Sequence, residues 1–490
     1  MGIIFKQSFK NTLVTYLGFG VGAINTLFLY TRFLTDEYYG LVGVILSTSA
    51  ILMPLLAFGV PNTLVKYYSS FEDKRSADGF LTLMLILPLF LIIPATAITY
   101  VGYTVIGDFL SKENPIVKGY VWYIFLIGFS MAYFEVFYAW ARIRMKSVFG
   151  NFMKEVFARI GVTILLFLVF YELISIEVFL KALVGVYLLR TILMKIYAYR
   201  LRMPNLIFSF PKSTPRIINY SALIILGGSA SVILLEVDRF MINQFIQIEN
   251  VAYYSVAIFI ATVIAVPARS MHQIAYPLTA ELLNKKDTLG MKKLYEKSSL
   301  TLFIVSGLLF VLIILNLNDL YYLLPEAYRG GFVVVLLIGL AKVYDALLGN
   351  NNAILYNSDY YRAVLVMGVL LAVLTILFNL WLIPKYGING AAIATFIAIF
   401  IYNTIKLAYV KVKLGIQPFT SETIKVLALL LLVIALFVSL RFAFHPIVNI
   451  FLKGTLITLF YVGVLYRFRI SEDVYGVLSK YLKRKDDRAK

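Results

Sequence analysis

Cysteine is absent from the 490 residues, and histidine occurs only at His272 and His445. Disulfides, thiolate nucleophiles and cysteine-ligated metals are excluded. Two histidines leave almost nothing for a histidine-ligated metal site or a Ser-His-Asp hydrolase, and no cofactor is expected. Charge is scarce too, at 14% of residues against roughly a quarter in ordinary soluble domains. With 61% apolar residues and a mean hydropathy of +0.85, a water-soluble globular domain is excluded and the bilayer is the solvent. The first apolar stretch is too long for a signal-peptide core and has no small-residue cleavage site, so a retained first span is expected.

Apolar runs are what the chain has in abundance. About fourteen of them approach the roughly 20 residues that cross a bilayer. They fall at 11–34, 40–65, 79–106, 117–140, 150–170, 176–199, 216–237, 250–276, 296–316, 329–356, 360–383, 387–410, 422–443 and 447–467. No room remains for a soluble domain, so the expected fold is an all-α polytopic membrane protein. Lys plus Arg number 45 against 26 Asp plus Glu, a formal charge of +19. The excess collects on the N-terminal segment, on alternate connections carrying Lys66, Lys74 and Arg75, then Arg142, Arg144 and Lys146, then Arg200, Arg202, Lys212 and Arg216, then Lys285, Lys286, Lys292 and Lys293, then Lys406, Lys411 and Lys413, and on the tail. The positive-inside bias then puts both termini in the cytoplasm. It also assigns most of the positive charge to anionic lipid, and no nucleic acid partner is expected.

Self-comparison adds an internal repeat. Thr31-Arg32-Phe33-Leu34 followed by Tyr38-Tyr39-Gly40-Leu41-Val42 is echoed by Asp238-Arg239-Phe240-Met241 followed by Tyr253-Tyr254-Ser255-Val256-Ala257, and Ala57-Phe58-Gly59-Val60-Pro61 by Ala275-Tyr276-Pro277. Span one then matches span seven. Two six-helix lobes are expected, at 1–213 and 214–415, with two further helices and a basic tail at 416–490. Because each lobe has an even number of spans, both insert the same way up, about an axis along the membrane normal. Such a plan suits a transporter that binds substrate between repeats and exposes it alternately to each side. Gly18 and Gly22 in span one and Gly227 and Gly228 in span seven suit close helix packing, and Pro54, Pro88, Pro94, Pro267 and Pro277 suit bends. Membrane helices also tolerate both residue types for no such reason.

Ionisable groups at a span's centre cost about 2.5 to 3.5 kcal/mol each, so they face a polar cavity or a partner. The candidates are Glu135 in span four, Arg159 in span five, Lys181 and Arg190 in span six, Arg269 and His272 in span eight, and Lys342 and Asp345 in span ten. Cations predominate, which favours an anionic substrate, and arginine offers phosphate a two-pronged fork. Arg159, Arg190, Arg269 and Lys342 form the expected anion-binding set; Glu135 and Asp345 are the candidates for ion coupling. Other readings stay open. Lys342 with Asp345, and Arg159 with Glu155, have the spacing of self-neutralising helical pairs. Lys181, Arg269 and Glu135 lie near enough to a surface to snorkel, and His272 suits an interfacial position.

The run Arg32-Phe33-Leu34-Thr35-Asp36-Glu37-Tyr38-Tyr39-Gly40, the segment Phe58-Gly59-Val60-Pro61-Asn62, the Asp238-Arg239 pair followed by Val251-Ala252-Tyr253-Tyr254-Ser255-Val256-Ala257, and Tyr276-Pro277 together resemble the Wzx-type bacterial polysaccharide flippases. Leu323-Leu324-Pro325-Glu326-Ala327-Tyr328-Arg329 and Leu382-Ile383-Pro384-Lys385-Tyr386-Gly387-Ile388-Asn389-Gly390-Ala391-Ala392-Ile393-Ala394-Thr395 extend the likeness over nearly the whole chain. That family belongs to the superfamily that also holds multidrug MATE exporters and lipid II flippases. The resemblance implies translocation of undecaprenyl-diphosphate-linked oligosaccharide from the inner to the outer leaflet of a bacterial plasma membrane. Its implied partners are the lipid-linked sugar, membrane lipid, a proton or sodium ion, and other polysaccharide-assembly membrane proteins. It carries no universal substrate-contact motif. The arginine cluster that lipid II flippases have in their early spans is not found in span one here.

Two other classes remain. A MATE-type exporter of organic cations would want intramembrane carboxylates where this chain offers mostly cations. A membrane glycosyltransferase or O-antigen polymerase would need a substantial outer loop, and the Asp36-Glu37 connection is too short to be one.

Overall fold

The computed structural model describes residues 2–71, 73–476 and 479, with backbone alone at 2–6, 8–9, 226–231, 233–235, 270, 273–274 and 361. The packing of Gly227 and Gly228, the Lys6 side chain and most of the expected basic tail lie outside the described side chains. Among the described residues there is no strand, and the core of each of the fourteen expected spans is helical. Nine described helices are long and apolar enough to cross a membrane. One of these, Arg362–Leu414, contains spans eleven and twelve, separated at Gly387. Spans five, six and seven lie within Val148 to Phe170, Ile176–Leu201 and Thr214–Phe245, and the helix of span thirteen is Ser421–Phe437. The protein is a multi-pass, all-helical membrane protein.

Local chemistry explains where the helices begin and end. The Thr35 hydroxyl accepts from Tyr38 N–H to start Asp36–Leu56, and Ser175 does the same for Ile176–Leu201. Span three is broken: Lys74–Ile86 gives way at Pro88 to Leu89–Val101, because proline removes a backbone donor and crowds the preceding turn. Helix thirteen stops at Phe437, short of the expected 443, before the stretch containing Arg441. Gly387 holds φ 57° and ψ −136°, a conformation closed to other residues. A Cβ at Gly390 would lie 2.1 Å from the Leu382 carbonyl oxygen, so this glycine pair permits a tight turn between spans eleven and twelve.

The chain divides into two compact units. The first comprises Met1–Ser255 with Gly368–Ala391. Its core gathers Phe80, Phe134, Trp140, Met153 and Met194 from four spans. Helix Val121–Ile143 packs against Asp36–Leu56 and Ile176–Leu201, and Asp36–Leu56 also receives Thr214–Phe245. Thr63 and Ser221 hydroxyls meet at 2.6 Å to join the second span's end to the seventh. Helix Gly2–Ile24 packs on the fifth span so closely that a Cβ at Gly18 would lie 2.5 Å from the Glu155 carbonyl oxygen. Both partners widen to a π turn there, Asn25–Leu29 and Met153–Phe157.

The second unit comprises Val256–Met367 with Ala392–Lys490. Helix Thr288–Tyr322 is its axis, packed against Val266–Asn284, Phe332–Leu347, Ser421–Phe437 and Pro446–Arg467. Phe303, Val311, Val426, Val433 and Tyr461 fill the core. The Tyr461 hydroxyl donates to the Ile304 carbonyl, so the buried phenol is satisfied.

Candidate functional site

In the first unit, charges converge inside the apolar bundle. Glu135, on Val121–Ile143, accepts from Lys154 Nζ at 2.6 Å across to the fifth span. The same carboxylate lies in the fields of Arg142 and Arg190. Arg159 reaches Glu155 at 3.5 Å, the helical pair anticipated from their spacing. Its backbone carbonyl accepts from Asn25 Nδ2 at 2.9 Å, while Asn25 Oδ1 accepts from Thr163 at 2.7 Å. Arg159 is thereby fixed where the two π turns meet, a kind of helix defect that concentrates at functional sites.

Arg190 is the most enclosed of these cations, 6% exposed. Its guanidinium lies 4.2 Å from the Phe134 ring and 4.7 Å from the Tyr187 ring, an arrangement that supplies attraction without using its N–H donors. Its Nε has no hydrogen-bond partner among the described residues, and neither has the buried Nε of Arg142. Arg142, Glu135 and Lys154 line a cavity of about 250 Å³ whose walls include Pro61, Asn62 and Ile225. Polar groups placed this way can hold an anion against arginine and lysine donors while a carboxylate limits the net charge.

Span seven contributes a second buried network. Its helix runs to Phe245, beyond the expected 237, so Asp238 and Arg239 stand inside the helix. Asp238 is 2% exposed; it accepts from Asn379 Nδ2 at 2.8 Å and from the Tyr254 hydroxyl. Arg239 pairs with Glu236 at 2.6 Å and donates to the Ser255 hydroxyl at 2.9 Å.

Asp345, Lys342, Arg269 and His272 belong to the second unit. Asp345 approaches Lys406 at 3.9 Å, a lysine counted from sequence with the inner connections but 1% exposed in the structure. Lys342 is half-buried on the same helix as Asp345. Arg269 is exposed and forms no ion pair among the described residues; Lys181 in the first unit is also exposed. His272 lies edge-on to Tyr276, centroids 5.8 Å apart, within the fields of Asp345 and Lys406. The first unit therefore gathers Glu135, Arg159 and Arg190, whereas Arg269, Lys342 and Asp345 lie in the second. Lys154, Arg142, Asp238, Arg239 and Lys406 were not singled out as site residues from sequence. Each sits near the end of an apolar run, where hydropathy alone assigns it to the surface.

Residues 4–283, more than half of the chain, match the family model described as polysaccharide biosynthesis protein. No curated protein matches by sequence. The fold is similar to that of the lipid II flippase MurJ in an inward closed conformation, with TM-score 0.72 and 16% identity over 94% of this chain and 99% of that one. An inward-facing multidrug resistance MATE family transporter of the MOP superfamily follows at TM-score 0.60, with 14% identity over 82% and 94%. A MOP superfamily transporter from Pyrococcus furiosus gives TM-score 0.58, with 13% identity over 84% and 95%. The chain thus belongs to the polysaccharide biosynthesis protein family and has the fold of the MOP superfamily.

Proposed function

We propose that the protein is a flippase that moves undecaprenyl-diphosphate-linked oligosaccharide from the inner to the outer leaflet of a bacterial plasma membrane, supplying surface polysaccharide or lipopolysaccharide assembly such as O-antigen. The observation that carries this reading is the arginine pair Arg142 and Arg190 in the first unit, each with a buried Nε that has no hydrogen-bond partner among the described residues. A buried donor left without a partner costs about 1 to 3 kcal/mol, more when it is charged, so it invites an acceptor. A diphosphate supplies acceptor oxygens, and its own passage through hydrocarbon is prohibitive without such partners.

Arg159, Arg190, Arg269 and Lys342 are proposed as the groups that take the diphosphate in turn, with Glu135 and Asp345 as the carboxylates that couple movement to a proton or sodium ion. The lobes 1–213 and 214–415 are the moving bodies, and 416–490 is accessory. Both termini lie in the cytoplasm. Transport proceeds by exposing the binding groups to one side and then the other, with no covalent change in the substrate and no enzymatic role. Other membrane proteins of polysaccharide assembly would receive the product. A MATE-type exporter of organic cations is the second reading, favoured by the buried Asp238 carboxylate.

The test is single neutralisation in proteoliposomes carrying a fluorescent lipid-linked oligosaccharide. Arg159→Gln, Arg190→Gln, Arg269→Gln and Lys342→Gln are each expected to abolish transbilayer movement with folded protein still in the membrane. Undiminished movement in all four removes the proposed anion site.

A further inference from the structure

The second unit encloses an ammonium group that the proposed transport scheme leaves unused. Lys406 lies in the helix Tyr361–Leu414 and is 1% exposed. Its Nζ donates to Asn352 Oδ1 at 2.9 Å, stands 3.9 Å from Asp345 Oδ1, and sits 4.3 Å from the centre of the Tyr402 ring. The Asp345 side chain is 44% exposed, so the pair lies at the boundary of the enclosed region. The other titratable groups around this pair are His272 and Tyr276 from Val266–Asn284, Tyr356 from Asn351–Asn357, and Lys342 and Tyr344, which share the Asp345 helix, Tyr344 bonding Thr404 at 2.9 Å.

A carboxylate oxygen, an amide oxygen and an aromatic face are also the partners that a small monovalent cation takes when it sheds water. The lysine ammonium is itself a compact point charge on a flexible stem. The ammonium stands between Asp345 and Asn352, so a cation seated between those two oxygens would have to displace it. We propose that Lys406 is a resident counter-ion that excludes sodium and potassium from Asp345. Any sodium coupling then runs through another carboxylate. That consequence rests on the transport reading, whereas the exclusion itself does not.

Sodium binding to the full-length protein in detergent, measured by equilibrium dialysis with radioactive sodium, separates the two. Lys406→Met and Lys406→Gln are expected to gain one sodium equivalent over the unaltered protein, and Asp345→Asn added to either should remove the gain. Lys406→Arg should bind no more than the unaltered protein. A second measurement needs no lysine substitution: Asp345→Asn alone should leave sodium binding unchanged, since no sodium resides there. No gain in the folded Lys406 variants, a gain that survives Asp345→Asn, or a loss of sodium in Asp345→Asn alone overturns the proposal. No lipid-linked sugar enters this assay, so its failure leaves the flippase reading intact. Failure of lipid movement in vesicles would leave the sodium result standing.

Discussion

Arg190 illustrates what a single side chain can do when its charge is held by ring faces and its Nε is left without a hydrogen-bond partner among the described residues. Arg190→Lys keeps the charge but loses the planar stack on Phe134 and Tyr187. Its folded protein should bind lipid-linked diphosphate at least tenfold more weakly than the unaltered protein in a detergent binding assay; unchanged affinity would show that the guanidinium plane is immaterial. The Glu135–Lys154 pair makes a different demand. Lys154→Met should lower the melting temperature by leaving the carboxylate uncompensated, and Glu135→Gln in the same chain should restore part of it. The coupling in that double-mutant cycle is expected on the order of 1 kcal/mol, because Lys154 is partly exposed; zero coupling would mean the pair is incidental. Sequence spacing already showed that Arg159 and Glu155 could meet, since they sit one turn apart on one helix. It could not show Glu135 meeting Lys154, because that contact joins two helices and depends on how they pack.

Helix existence was legible from hydropathy, since each apolar run long enough to span a bilayer has a helix within it. Helix ends were not. Asp238 and Lys406 read as flanking residues because the apolar run stops near them, yet their helices continue and tertiary packing encloses both. The break at Pro88 was announced by proline, whereas the turn at Gly387 needs its left-handed φ to be seen. Close approach between the first and fifth spans yields a sharp expectation. Gly18→Ala would drive a methyl into the Glu155 carbonyl, whose backbone cannot swing aside, and should cost about 1 to 3 kcal/mol in thermal or denaturant unfolding. Gly20→Ala, with nothing within 4 Å of the added Cβ, should be no less stable than the unaltered protein. Equal changes in both variants would show that contact with the Glu155 carbonyl does not set the requirement at Gly18.

At the scale of the whole molecule, topology and transport are the claims that matter. The absence of cysteine makes topology directly measurable, because any introduced thiol is the only one in the chain. A membrane-impermeant maleimide applied to intact cells should label Glu37→Cys and should label Lys286→Cys only after permeabilisation; the reverse pattern would invert the positive-inside orientation. The deciding measurement is transbilayer movement of a fluorescent undecaprenyl-diphosphate oligosaccharide in proteoliposomes, with and without an imposed proton or sodium gradient. One charge falling through 100 mV supplies about 2.3 kcal/mol, enough to bias a two-state transporter visibly. The expected result is protein-dependent movement of the lipid-linked sugar, accelerated by a proton or a sodium gradient. Absence of movement across several glycans, together with uptake of organic cations by the same vesicles, would contradict the flippase reading and establish the exporter.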